Sequence, residues 1–242
     1  MTGYGITDRG KIRGENQDTY RLLILQDENL AVLVVCDGMG GASAGALASE
    51  IACNEFFTYV ENALVEGETD FGAIMLKGVE SANSAVYSQS LFSPETRGMG
   101  TTLVAAIVRG DECVIANVGD SRAYLIGNGS IMRVTRDHSL VEDMVALGEL
   151  TRDQARTHPK KNLITRALGI DSSVKCDIFE ASLGDGDMIL LCSDGLSNMI
   201  RDEEILKAVK SSKPPEDLCK KLLKTTLRRG APDNVTVVAV KR

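Results

Sequence analysis

Apolar runs of four to eight residues, rich in valine and isoleucine, recur along the whole chain and predict strands. They cover Tyr20–Leu25, Leu30–Cys36, Thr101–Val108, Cys113–Val118, Ala123–Ile126, Ile131–Val134, Val174–Phe179, Met188–Cys192 and Asn234–Val240. Short turn signals separate several of them, among them Gln26-Asp-Glu-Asn29, Arg109-Gly-Asp111 and Gly127-Asn-Gly129. Links this short favour antiparallel hairpins over crossovers. A helical period replaces the strand pattern in Ser43–Leu64, where Leu47, Ile51, Ala52, Phe56 and Val60 share a face, and again in Asp70–Leu91. Two further helices are expected at Asp202–Val209 and Pro215–Leu227. Helix groups flanking many antiparallel strands predict a layered α+β domain, with helices covering a two-sheet core. No linker or low-complexity tract divides the sequence, so residues 1–242 are expected to form one domain.

One polar excursion, residues 136–163, interrupts the strand rhythm and carries both histidines, His138 and His158. It holds a helical stretch, Leu140–Leu147, ending at Gly148, and a second short helix that Thr151 caps with Gln154 three residues on. Long excursions between strands often serve as lids or binding loops.

Composition narrows the function classes. A hydrophobic fraction of 43% and a charged fraction of 25% describe an ordinary globular chain, and a net charge of −7 argues against a nucleic-acid partner. No apolar run is long enough for a membrane span, and the first residues lack the pattern of a signal peptide. Six scattered cysteines without a C-x-x-C pair read as free thiols in a reducing cytoplasm.

The chemistry lies where the strands end. Asp37, Asp120, Asp194 and Asp233 each flank a core strand. Buried carboxylates are costly unless a cation compensates them, and oxygen donors suit Mg²⁺, Mn²⁺ or Ca²⁺. A single Asp-Gly is ordinarily a hairpin turn, which is the reading for Asp185-Gly186-Asp187. Asp37-Gly38-Met-Gly-Gly41 differs, because the glycine-rich bend leads into a helix and lets backbone approach an ion or phosphate. Near the N-terminus, Arg13 precedes Asn16 and Asp18, and arginine is the preferred bidentate phosphate donor.

Taken in order, Arg13-x-x-Asn16-x-Asp18, Asp37-Gly38-x-Gly40-Gly41, Gly98-Met-Gly100-Thr101-Thr102, Asn117-x-Gly119-Asp120-Ser121-Arg122, Asp137-His138-Ser139, Ser193-Asp194-Gly195 and Asp233-Asn234 span nearly the whole chain. With them the sequence resembles the bacterial metal-dependent serine/threonine phosphatases of the PPM, or type 2C, family. The resemblance implies a four-layer α/β/β/α sandwich of two antiparallel sheets flanked by helices, with the 136–163 excursion as a flap beside the metal site. It implies two Mn²⁺ or Mg²⁺ ions bridged by Asp37, with the Gly38 carbonyl on one and Asp194 and Asp233 on the other. Asp18 would orient metal-bound waters, Asn234 would support the ligands, Asp120 with Asp194 would serve a third, weaker ion, and Arg13 would grip the substrate phosphate. The implied reaction is in-line attack by a metal-bridging hydroxide on phosphoserine or phosphothreonine of cytoplasmic proteins, opposing a bacterial serine/threonine kinase. Met39 stands where many eukaryotic relatives carry a histidine, the proposed general acid there, so a metal-bound water is the expected proton donor to the leaving oxygen, with His138 as the substitute candidate. A phosphoprotein-binding pseudoenzyme would lack metal aspartates, and a structural Ca²⁺ domain would keep its ligands in one contiguous loop. Nothing in the sequence requires more than a monomer.

Overall fold

The computed structural model describes residues 1–41, 43–212 and 214–242. Two antiparallel sheets form its centre. One has five strands in the order β1 (Thr2–Asp8), β11 (Val235–Lys241), β10 (Met188–Cys192), β7 (Arg122–Gly127) and β8 (Ser130–Arg133). The other runs β2 (Asp18–Leu25), β3 (Leu30–Met39), β5 (Leu103–Arg109), β6 (Glu112–Val118) and β9 (Asp177–Ser182), with β4 (Gly100–Thr101) added beside β3.

Period-two alternation explains why the strands read as unbroken apolar runs. In β3, Leu30, Val32, Val34 and Cys36 point into a core shared with helices α1 (Ala44–Val65) and α2 (Phe71–Ser90). The intervening Ala31, Leu33 and Val35 point into a second core shared with Ile189 and Leu191 of β10 and Val238 and Val240 of β11. On the far side, Leu190, Cys192, Val235, Val237 and Ala239 meet helices α6 (Asp202–Lys210) and α7 (Pro215–Arg228). Both faces of each central strand are therefore buried, and the polar residues they hold, such as Asp37, Asn117 and Thr236, lie toward the strand ends. The layers run helix, sheet, sheet, helix.

Helix α1 lies close against β3 because its buried face begins with small residues, Gly45, Ala48, Ser49 and Ala52, before Phe56 and Val60 take up the space. Helix α2 starts at Asp70, whose side chain accepts from the Ala73 N–H at 2.9 Å. Two strand boundaries depart from the sequence reading. The run Thr101–Val108 is broken at Thr102, whose Oγ1 accepts from the Asp37 N–H at 3.0 Å, and the last strand before β10 is Asp177–Ser182 rather than Val174–Phe179.

The flap contains α3 (Leu140–Ala146) and α4 (Arg152–Thr157), the latter with the expected capping box. Its two ends meet at a neck, where Leu140 N–H donates to Leu163 O at 2.9 Å and Thr165 N–H to His138 O at 2.8 Å. Among the described residues no helix is long and apolar enough to cross a membrane.

Candidate metal centre

The sheet register brings the aspartates to one end of the sandwich. Asp18 opens β2 and pairs with Asp37 near the end of β3. Cys192 at the end of β10 lies opposite Val237 of β11 and Arg122 of β7, so Asp194, Asp233 and Asp120 fall beside one another just past these strands. Antiparallel order forces this convergence, since one strand's end is its neighbour's beginning.

The proximity has an electrostatic consequence. The Asp37 carboxyl is pushed well above the ordinary carboxylate range by desolvation first, then by the charges of Asp18, Asp194, Asp120 and Asp233. Asp194 rises to about 6 through desolvation and the charge of Asp233, against a lowering hydrogen bond with Asp37. Asp120 is likewise raised by desolvation and by Asp194. Asp37, Asp120, Asp194 and Asp233 are half-buried rather than sealed, while Asp18 is buried. Five carboxylates this close repel one another and call for positive charge.

Each is held in its own way. Asp18 Oδ2 accepts from Ser193 Oγ and from Thr236 Oγ1, both at 2.7 Å. Its Oδ1 is buried with no hydrogen-bond partner, and burial lifts the group to about 7 despite the two hydroxyls. Asp194 is the first residue of a short helix, α5 (Asp194–Ser197), and takes a bond from Asn198 Nδ2 at 2.9 Å. Asp233 accepts from its neighbour's backbone N–H and pairs with Arg13 Nη2 at 2.8 Å. Asn234 fixes the loop that carries Arg13: its Nδ2 donates to Arg9 O and Glu15 O, and its Oδ1 accepts from Gln17 N–H. The Asn234 side chain thus positions the arginine loop. Gly38 is confined between Gln17 and Gly45, and an added Cβ would lie 2.0 Å from Gly45 O. Gly195 is tighter still, with Asn234 O at 1.8 Å from the same hypothetical atom.

The donor set fits a hard divalent cation, because it is all oxygen and its mutual repulsion is relieved only by added charge. Among the described residues no three His, Cys, Asp or Glu side chains form a finished cage by themselves, so main-chain oxygen and water would complete any coordination shell. His138 is not available as an acid. It is 6% exposed, its Nδ1 accepts from Gly119 N–H at 3.1 Å, and its Nε2 lies 3.1 Å from Asp177 Oδ2. Ser193, Thr236 and Asn198 escaped sequence reasoning: Ser193 lay inside a quoted motif, but Thr236 reads as one more strand residue.

Residues 11–232 match the family described as Protein phosphatase 2C. The serine/threonine phosphatase stp of Listeria monocytogenes is 37% identical over 237 residues, which cover 98% of this chain and 94% of that protein. The chain belongs to the protein phosphatase 2C family. Its sandwich matches the crystal structure of the Mycobacterium tuberculosis serine/threonine phosphatase PstP/Ppp with a TM-score of 0.88 at 34% identity, covering 98% of this chain and 96% of that one. The catalytic domain of PstP in complex with two manganese ions matches with a TM-score of 0.83 at 34% identity, again over 98% and 96% of the two chains. The two antiparallel sheets and flanking helices expected from the motifs are those of this phosphatase fold.

Proposed function

We propose that residues 1–242 act as one catalytic unit that hydrolyses phosphoserine and phosphothreonine in proteins. The observation that carries this reading is the convergence of Asp18, Asp37, Asp120, Asp194 and Asp233 beside the half-exposed guanidinium of Arg13. Asp37, Asp194, Asp233 and the Gly38 carbonyl would hold two Mn²⁺ or Mg²⁺ ions, with Asp120 and Asp194 available to a third. Such ions, when bound, acidify water and neutralise phosphoryl charge.

The chain's own residues do the rest. Arg13 offers a planar fork to two phosphoryl oxygens and orients the group, since among the described residues its guanidinium is the one cation paired directly with Asp233. Asp18, clamped by Ser193 and Thr236, keeps one buried oxygen without a partner, free to accept from and orient a water at the cluster. Water attacks phosphorus in line with the leaving serine or threonine oxygen, and no side chain is phosphorylated. Met39 has no proton to give and both ring nitrogens of His138 are engaged, so the leaving oxygen takes its proton from water. The six free cysteines agree with a reducing compartment, the cytoplasm, and the kinase opposed there would be a serine/threonine kinase of bacterial type.

The deciding assay is Mn²⁺-dependent turnover of a phosphothreonine peptide, set against a phosphotyrosine peptide and chelator-treated enzyme. Asp37→Asn should cut turnover by well over the roughly 100-fold that loss of an outer partner costs, with the fold intact by circular dichroism. Turnover that survives complete metal removal would overturn the reading.

A further inference from the structure

Beyond Asp194 and Asp120, the centre opens into a cleft of about 570 Å³ walled on its far side by the flap. Most of the cations lining it are neutralised by a carboxylate. Arg122 and Arg133 bond Asp137, Arg133 and Arg152 bond Glu142, Arg136 bonds Asp143, and Arg201 bonds Asp153. Arg156 is different. Among the described residues it pairs with no carboxylate and makes one hydrogen bond, from Nη2 to Ser197 O at 3.2 Å. That bond ties it to α5, the helix that begins with Asp194. Nearby Lys161 reaches Asn198 Oδ1 at 3.4 Å, on the same helix end. A guanidinium has five N–H donors, so most of those on Arg156 are unspent on a half-buried, anchored side chain.

Resting on the phosphatase reading, we propose that Arg156 receives a second anionic group of the substrate, the phosphoryl or carboxylate of a residue near the phosphorylated one in sequence. The sheet sets the spacing. Asp233 with Arg13 precedes β11, Asp194 follows β10 and Asp120 precedes β7, so the reacting end and Asp120, which lines the cleft together with Arg156, are two strand intervals apart in the order β11, β10, β7. At ~4.8 Å per interval this is ~10 Å, and an extended peptide covers ~3.3 Å per residue. The second anion therefore sits about three or more residues from the phosphothreonine. Arg13 and Arg156 then have separate tasks, one for the reacting group and one for register.

The test uses Mn²⁺-loaded protein and phosphothreonine peptides in which glutamate, or a non-hydrolysable phosphonate analogue of phosphoserine, is walked along both sides. The readout is kcat/KM for each relative to its glutamine counterpart. Wild type should favour the anion by about five- to tenfold at one register, the size of one partly exposed charge-assisted hydrogen bond. That ratio should fall to about one in Arg156→Ala, survive in part in Arg156→Lys, and drop below one in Arg156→Glu. A preference for the phosphonate assigns the subsite to multiply phosphorylated segments, and equal preference assigns it to acidic ones. A ratio near one at every register in wild type, or an undiminished ratio in Arg156→Ala, overturns the subsite. Failure to hydrolyse any of the peptides would instead defeat the phosphatase reading.

Discussion

The helix-covered sheet under Asp37 and the flap beyond Asp120 lie on either side of one site, yet they are held by opposite physics. Beneath Asp37, Cys36 and Val34 meet Ala48, Ala52 and Phe56 in a core without charge. Across the cleft, the flap is stitched by ions: Asp137 to Arg122 and Arg133, and Glu142 to Arg133 and Arg152. Apolar burial is non-directional and offers no charge for salt to screen, whereas ion pairs weaken with screening and protonation. A rigid floor thus carries the reacting group, while a wall responsive to ionic conditions faces the rest of the substrate.

The largest effect should come from the floor. Phe56 is fully buried, and Phe56→Ala should cost about 3–5 kcal/mol of global stability in denaturant titrations, equally at low and high salt. A loss that shrinks in high salt would break the contrast. Next comes Glu142→Gln, which leaves Arg133 with Asp137 alone. We expect about 1–3 kcal/mol, read as faster amide exchange in α3 while β3 stays protected, and a smaller difference from wild type at 1 M salt. Exchange that quickens equally in β3 and α3 would mean that flap and floor open as one unit.

The smallest effect concerns pH at the flap neck. Burial holds His138 below its ordinary range, and the nearby Arg166 charge acts the same way, against the raising influence of Asp177 and Asp137. The unfolded chain therefore binds the proton more readily. Stability from this residue is present above pH ~6.5 and is lost as pH falls through the lower folded value. Protection factors at Thr165 and Gly119, which correct for the slower intrinsic exchange in acid, should fall between pH 7 and pH 5, and His138→Asn should abolish that response. An unchanged pH response in the variant would assign it to the carboxylates instead.

Much of this was legible in the sequence because strand patterning and antiparallel order suffice to locate strand ends. The helices α1, α2, α6 and α7 fall within a residue or so of their periodic stretches, and Thr151 with Gln154 forms the cap its spacing predicts. Strand β1 went unread because glycines at positions 3 and 5 hide its alternation. The break at Thr102 was invisible, since its cause is a long-range bond to Asp37. The same holds for the clamp on Asp18, made by two hydroxyls more than 170 residues away in sequence. His138 looked like a loop histidine free to exchange protons until its burial between Gly119 and Asp177 was in view.

That clamp also governs how the molecule comes together. Asp18 and Asp37 belong to one sheet, whereas Ser193, Thr236, Asp194 and Asp233 belong to the other or its margins. The carboxylate cluster is a seam, with each half contributed by a different layer. Neither sheet folding alone can assemble it, and any slide of one layer over the other changes every separation in the cluster at once. Cation affinity is therefore a gauge of how the two layers are docked, and its recovery during refolding marks the moment the sandwich closes.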